Sequence, residues 1–366
     1  MSEENLFYLL ALLRVEGVGD IMAKKLLSHF GTAENVLKAK QHQLAGIEGV
    51  GTVLLKNFKV KSIFDKANQE LDFIRKNSIR VSSFQDADYP DRLKHCFDGP
   101  TLLFSAGNIN LANRKVISIV GTRQITSYGT EFCKKLIEDL VPMNPVIVSG
   151  FAYGVDIVAH QMAMDCGLQT IGVLAHGMNQ IYPKTHKKYM AKMEENGGFL
   201  TEFWSNANPD KENFVRRNRI VAGISEATIV IESADKGGSL ITANLANDYN
   251  RDVFAVPGRT TDKYSQGCNN LIKTQKAYVL TSAADVIFNL NWDIAKELKP
   301  VQKQLFVSLE TDEQIIYDFL LKSGKELLDV IALECEFPIY KMSSLLLNME
   351  LKGVIRPLPG KMFEAI

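Results

Sequence analysis

Three glycine-rich turns, each fed by a run of apolar, β-branched residues, constrain this chain most. The first is Val116-Ile-Ser-Ile-Val-Gly-Thr-Arg123 and the second is Val146-Ile-Val-Ser-Gly-Phe-Ala-Tyr-Gly-Val-Asp156. The third runs from Thr228-Ile-Val-Ile-Glu-Ser233 into Lys236-Gly-Gly-Ser-Leu-Ile-Thr-Ala243. Such apolar runs suit strands buried on both faces of a parallel sheet. A glycine turn that leaves such a strand and opens a helix makes an anion site. Bare N–H groups and the positive end of the helix dipole both face the ligand. Three such turns at one carboxyl edge predict a surface for several phosphates. That suits nucleic acid or a nucleotide better than one small anion.

The chain around these turns predicts an α/β protein with a doubly wound parallel sheet. Strands are expected at Ile79–Ser83, Lys115–Val120, Val146–Ser149, Thr170–Leu174, Phe199–Glu202, Thr228–Glu232 and Asp252–Val256, with helical segments between them. Residues 1–77 read as all helical. Val15-Glu-Gly-Val-Gly19 returns as Ile47-Glu-Gly-Val-Gly51, so this part resembles a tandem helix-hairpin-helix (SAM-like) module. Such hairpins grip DNA phosphates, or use glycine only to turn tightly. The sheet domain is expected over residues 78–291 and a polar linker over 292–304. Residues 305–366 carry three helical segments, Thr311–Leu321, Lys325–Cys335 and Ile339–Lys352. The hairpin Val354–Phe363 follows, a winged-helix pattern that serves DNA or protein contacts.

Length, 366 residues, agrees with two or three domains, and 46% hydrophobic residues supply a core. Lys and Arg number 42, as do Asp and Glu, so any nucleic-acid site must be a local basic patch. The five cysteines form no CxxC pair and stand apart from histidines at ligand spacing. They read as thiols of a reducing compartment. The start Met-Ser-Glu-Glu lacks a basic leader and no apolar run reaches membrane-spanning length. A cytoplasmic protein without membrane contact is expected.

Arg123 follows Gly121 at the tip of the first turn, where a guanidinium can take a phosphate bidentately. Lys211-Glu-Asn-Phe-Val-Arg-Arg-Asn-Arg-Ile220 opens a helix with Arg216, Arg217 and Arg219 crowded into its first turns. Each cation there opposes the dipole by roughly 0.3–1 kcal/mol. A bound polyanion would reverse that cost; pairing with acids such as Glu202 or Glu226 is the alternative. Phe214 is placed to stack a base, worth ~1–3 kcal/mol, or to staple the helix to the core. Ser149, Gly150 and Gly154 suit a phosphate-cradling turn, with Asp156 as a cap and His160 as a packing residue. Lys184 and Tyr182 stand after a strand and could reach the same groove. No G-x-x-x-x-G-K-[ST] is present and the first turn has one glycine, so P-loop and ordinary dinucleotide sites are disfavoured. No catalytic or metal-binding constellation is found, and no cofactor is expected.

The order Gly121-Thr-Arg, Ser149-Gly-x-Ala-x-Gly-x-Asp with Ala-His160, Tyr182-Pro183, Arg217-Asn-Arg-Ile220, Gly238-Ser-Leu-x-Thr-Ala243, Val256-Pro-Gly258 and Gly267-x-Asn-x-Leu-Ile272 resembles the bacterial DNA-processing protein A family (DprA, or Smf). The likeness spans the central domain, which it implies is Rossmann-like, and the flanking units match a three-domain version. It implies a non-enzymatic single-stranded DNA-binding protein of natural transformation and recombination. Such a protein protects incoming strands and helps load the RecA recombinase. It acts as a homodimer through the central domain, with single-strand-binding protein as a further partner. The implied DNA-binding set is Gly121, Arg123, Ser149, Gly150, Lys184, Lys211, Phe214, Arg217, Asn218, Arg219, Gly238, Ser239 and Thr242. Three places depart from the family pattern: Asn179 before Tyr-Pro, His186 after it, and Val215 where Phe-Pro is usual. The competing reading is a nucleotide-processing hydrolase of the phosphoribohydrolase type. The segment Lys236–Ala243 lacks the downstream Glu of that chemistry.

Overall fold

The computed structural model describes residues 1–112, 114–292, 309–358 and 362–366. The chain forms two compact units, residues 1–294 and 295–366.

The first unit opens with six helices: α1 (Glu3–Leu13), α2 (Asp20–Phe30), α3 (Ala33–Lys38), α4 (Gln41–Ala45), α5 (Thr52–Asn57) and α6 (Ser62–Lys76). The repeated Glu-Gly-Val-Gly turns share one geometry. Gly17 and Gly49 both have φ +92°, a region that L side chains rarely enter. Val18 N–H and Val50 N–H each donate to the carbonyl three residues back, both at 3.0 Å. Leu10, Ala11, Leu26, Val36 and Ala67 fill the core of this helical module.

The sheet that follows has nine strands: β1 (Arg80–Ser83), β2 (Leu102–Gly107), β3 (Val116–Val120), β4 (Val146–Ser149), β5 (Thr170–Val173), β6 (Gly197–Thr201), β7 (Ala227–Val230), β8 (Asp252–Ala255) and β9 (Tyr278–Val279). Their order is β1-β2-β6-β5-β4-β3-β7-β8-β9. All seven strands from β6 to β9 in that order pair in parallel. At one edge the sheet is mixed: β1 pairs antiparallel with β2, and β2 antiparallel with β6. Strand β2 escapes the sequence reading because its residues alternate between two cores. Leu102 and Phe104 pack into the helical module and Leu103 into the sheet domain. Helices α7 (Asp91–Lys94), α8 (Ser127–Leu140), α9 (Val155–Asp165), α10 (Met190–Glu195), α11 (Lys211–Ile224), α12 (Gly238–Asp248), α13 (Gln266–Lys273) and α14 (Ala283–Asn289) complete the domain.

From β3 the chain winds outward through β4, β5 and β6. It then returns through α11 to place β7 on the other side of β3. This reversal leaves a crevice at the carboxyl ends of β3 and β7, where open α/β sheets hold ligands. Trp292, expected to begin the linker, is buried, and its indole N–H donates to Glu226 Oε2 at 3.0 Å. The rest of the expected linker, 293–304, lies outside the described residues.

The second unit contains α15 (Thr311–Ser323), β10 (Glu326–Leu327), α16 (Leu328–Glu334), α17 (Ile339–Leu351), β11 (Ile355–Leu358) and β12 (Met362–Ala365). Its three strands pair in the order β10-β12-β11. Ile316, Leu320, Ile331, Met342, Leu346 and Ile355 form its core. The arrangement is a winged helix. Strand β10 takes the first residues of a segment that reads as helical in sequence, because Glu326 and Leu327 pair with Phe363 and Met362 of the wing.

Candidate nucleic-acid interface

The crevice at the strand reversal is a cavity of about 640 Å3. The first turn interlocks with the other two. Thr122 N–H donates to Glu232 O at 2.8 Å and Val155 N–H to Thr122 O at 3.1 Å. Gly154, with φ +77°, makes that approach possible: a Cβ there would lie 2.2 Å from Thr122 O. Phe151 adopts φ +58° although it is not glycine, a conformation that costs of order 1–3 kcal/mol. Its ring is buried against Phe199 and His186, which holds the turn in place.

Three helices present N-termini without a side-chain cap to this cavity: α9 after Gly154, α11 after Asp210 and α12 after Gly237. Their dipoles favour an anion, and the first N–H groups of a helix lack intrahelical partners, although Val155 N–H of α9 is already taken by Thr122 O. Gly238, on the lining, has open space where a Cβ would stand. The lining carries three cations, Arg123, Lys211 and Arg217, against one acid, Asp156. Arg123 and Lys211 are exposed and have no ion-pair partner among the described residues. Asp156 accepts the Ala152 N–H at 3.2 Å. Burial raises its carboxyl above the ordinary range, while Arg217 pulls it back.

Arg217 is almost wholly buried, and its guanidinium donates to Gly150 O and Val173 O. Burial pulls it down to about 10, so it remains a cation at neutral pH. Phe214 lies among cations, with Arg123 Cζ 5.2 Å and Arg217 Cζ 5.9 Å from its ring centre. The Tyr182 ring meets its edge at 5.7 Å.

Gly121, Arg123, Gly150, Lys211, Phe214, Arg217, Asn218, Gly238, Ser239 and Thr242 all lie on the lining. Three expected residues do not. Ser149 is buried and its hydroxyl donates to Ile119 O at 2.6 Å, tying β4 to β3. Lys184 is exposed outside the lining, two residues beyond Tyr182. Arg219 points away from the cavity into a buried ion cluster, the alternative that the sequence left open. It binds Asp20 Oδ2 at 3.0 Å and also Glu202, and Arg216 reaches the same carboxylates at 3.2 and 2.6 Å. Glu226, the other acid considered, pairs instead with Arg92 at 3.0 Å. Thr122, Ser233 and Ile241 line the cavity although the motifs did not mark them. Helical spacing could have found Ile241, since it stands three residues after Gly238 on α12.

The ion cluster docks the helical module onto the sheet domain. Asp20 is the first residue of α2, directly after the first Gly-Val-Gly hairpin. Its Oδ1 accepts Thr101 N–H at 2.7 Å. The residue that leaves that hairpin is therefore engaged by protein, while Gly17 and Gly19 stay exposed. Further along, Glu70 accepts Ser205 N–H and Oγ at 2.8 and 2.7 Å, and Arg14 stacks 3.5 Å over the Trp204 ring. His160 is buried and neutral: burial drives it down to about 3, and its Nδ1 meets Thr170 Oγ1 at 2.7 Å. It packs, as expected.

Comparison with known proteins matches residues 80–291 to the family described as DNA recombination-mediator protein A. The chain belongs to that family. Residues 9–57 match a SAM-like helix-hairpin-helix tandem and residues 307–361 the DprA winged helix domain. Among curated relatives, the DNA processing protein DprA of Bacillus subtilis is 36% identical over 64% of this chain and 79% of its own length. Protein Smf of Synechocystis is 33% identical over 77% of this chain and 72% of its own. The X-ray structure of DNA processing protein A from Streptococcus pneumoniae aligns with a TM-score of 0.67. It is 30% identical and covers 79% of this chain and 98% of that one. DNA processing protein A from Helicobacter pylori, whose structure is described for its single-stranded DNA binding mode, aligns with a TM-score of 0.52. It is 29% identical over 58% of this chain and 96% of its own. No helix among the described residues is long and apolar enough to cross a membrane.

Proposed function

We propose that this chain binds single-stranded DNA along the crevice, shields it, and hands it to the RecA recombinase. The observation that carries the reading is the lining itself: three cations and three uncapped helix N-termini face one acid, with an aromatic ring beside two guanidinium groups. Arg123, Lys211, Asn218 and the N–H groups at Gly238 and Ser239 take successive phosphates. Gly121, Gly150 and Thr242 shape the wall behind them, and Phe214 stacks a base. Arg217 holds the second turn in shape from beneath. The single-stranded DNA binding named for the Helicobacter pylori relative supports this assignment. Asp156, the one acid on the lining, accepts Ala152 N–H and lies beside Arg217, which favours a structural role over a hydrolytic one. In this reading the chain is a binding protein. A homodimer through the sheet domain, with single-strand-binding protein as a further partner, completes the proposal.

Fluorescence anisotropy of labelled oligo-dT and its duplex across a salt series tests it. The wild type should prefer the single strand, and log K should fall with log salt at about −0.7 per phosphate neutralised. Arg123→Ala should weaken binding and flatten that slope. Equal failure of wild type on both ligands sinks the reading. Release of free base from a nucleoside monophosphate would put hydrolysis in its place. The RecA step is read from strand invasion on DNA coated with single-strand-binding protein, which should rise when the chain is added.

A further inference from the structure

A second cavity, of about 910 Å3, opens on the far side of the first glycine turn. It is bounded by the start of α8 and by the segment from Pro257 to Ser265 that follows β8. Resting on the single-strand reading above, the geometry points to this cavity as a second nucleotide subsite, which receives the same DNA strand after it passes Arg123.

The charges facing the cavity are Arg259, Lys263, Asp262 and Glu232. Both cations are exposed and neither has an ion-pair partner among the described residues. Glu232 is 4% exposed, and its two carboxylate oxygens accept the Thr126 N–H, at 2.8 Å, and the Thr126 hydroxyl. Its charge is thus satisfied by the residue that caps α8. Asp262 is the one exposed acid beside two free cations.

The loop that carries these cations is built rather than slack. Asn269 clamps Gly258 from both sides, accepting its N–H at 3.2 Å and donating to its carbonyl at 2.9 Å. Asp262 N–H donates to Arg259 O at 3.1 Å and Ser265 N–H to Asp262 O at 3.0 Å. Tyr128 offers a flat surface opposite. It is 50% exposed, and its hydroxyl donates to Pro257 O at 3.3 Å. Aromatic faces beside basic groups are how sequence-tolerant single-strand sites hold bases.

The two cavities adjoin. Ser233 lines the first, and its N–H donates at 2.6 Å to the carbonyl of Tyr264, which lines the second. The Tyr264 hydroxyl in turn bonds Gln124, the neighbour of Arg123. A strand leaving the first cavity at Arg123 would cross this contact to reach Arg259 and Lys263.

The test is anisotropy with oligo-dT from about 4 to about 16 nucleotides, the span of known single-strand site sizes. The proteins compared are wild type, Arg123→Ala, Arg259→Ala/Lys263→Ala and Tyr128→Leu. The Arg259/Lys263 double variant should bind the shortest oligomers like wild type. It should bind the longest about tenfold or more weakly, with a salt slope flatter by about 1.4, or 0.7 for each phosphate no longer neutralised. Tyr128→Leu should lose affinity for long oligomers with an unchanged slope. Wild-type affinity and slope on every length in the double variant overturns the subsite while leaving the first groove standing. Failure of wild type to bind any oligomer overturns the groove reading itself. A loss that is equal on short and long oligomers also overturns the subsite, because it places these cations in the first groove.

Discussion

Replacing Arg217 with alanine should damage folding and binding together, and the structure sets the size of the effect. The guanidinium is buried and donates to two backbone carbonyls, Gly150 O and Val173 O. Alanine leaves both carbonyls without a partner, at about 1–3 kcal/mol each. The sum, roughly 2–6 kcal/mol, lowers Tm by roughly 5–20 °C for a domain of this size. Asp156 supplies a second signature. Burial raises its folded value above the unfolded one, and Arg217 opposes that rise. Such a carboxyl binds an extra proton in the native state between its two pKa values, so stability falls as pH rises through that interval. Without Arg217 the folded value climbs and the interval extends upward. The deficit of Arg217→Ala should therefore be smaller near about pH 5 than near about pH 7. Thermal unfolding of both proteins at the two pH values reads this directly. A variant that melts within about 1 °C of wild type, or whose deficit ignores pH, refutes the assignment of Arg217 as the buried brace of the second turn.

Three further outcomes follow from the same geometry. Gly150→Ala puts a Cβ 2.5 Å from Arg217 Nη2; overpacking should cost about 1–3 kcal/mol and weaken oligo-dT binding, both visible in melting and anisotropy. Phe214→Ala should lose ~1–3 kcal/mol of affinity with a salt slope like wild type, whereas Phe214→Trp should keep most of it. Asp20→Asn keeps an acceptor for Thr101 N–H but removes the charge between Arg216 and Arg219. It should cost about 1–3 kcal/mol and speed amide exchange in α2, while β3 and β4 stay protected.

The parallel core was legible because several of its strands are continuous apolar runs, and those of β3 and β4 end in glycine where two turns must touch. Strand β2 was not, since Leu102 and Phe104 face one core and Leu103 another, a division that only the docked helical module reveals. Strand β9 is two residues long and exposed, too short for a periodic signal. The winged helix was legible from three amphipathic segments and a hairpin. Its small strand β10 was not, because its pairing lies with residues 362 and 363, far along the chain.

The arginine segment shows how much finer reading the sequence permitted. Arg216, Arg217 and Arg219 look equivalent as a run of cations, yet helical spacing separates them. Arg216 and Arg219 stand three apart and share a face; that face meets Asp20 and Glu202. Phe214, Arg217, Asn218 and Val221 follow the i, i+3, i+4, i+7 rule on another face, and all four line the cavity. Glu202 was among the acids considered; what spacing could not supply is the second partner. Asp20 lies in a different domain, and nothing local marks it as the counter-charge. Helix α11 therefore joins the docking of the helical module to the wall of the proposed DNA groove. Loosening Asp20 should tilt Phe214 and Arg217 without touching them. Asp20→Asn then predicts a second effect, a loss of oligo-dT affinity smaller than that of Arg123→Ala and with the salt slope retained. An Asp20→Asn protein with loosened α2 and wild-type affinity would separate the two faces and refute the coupling.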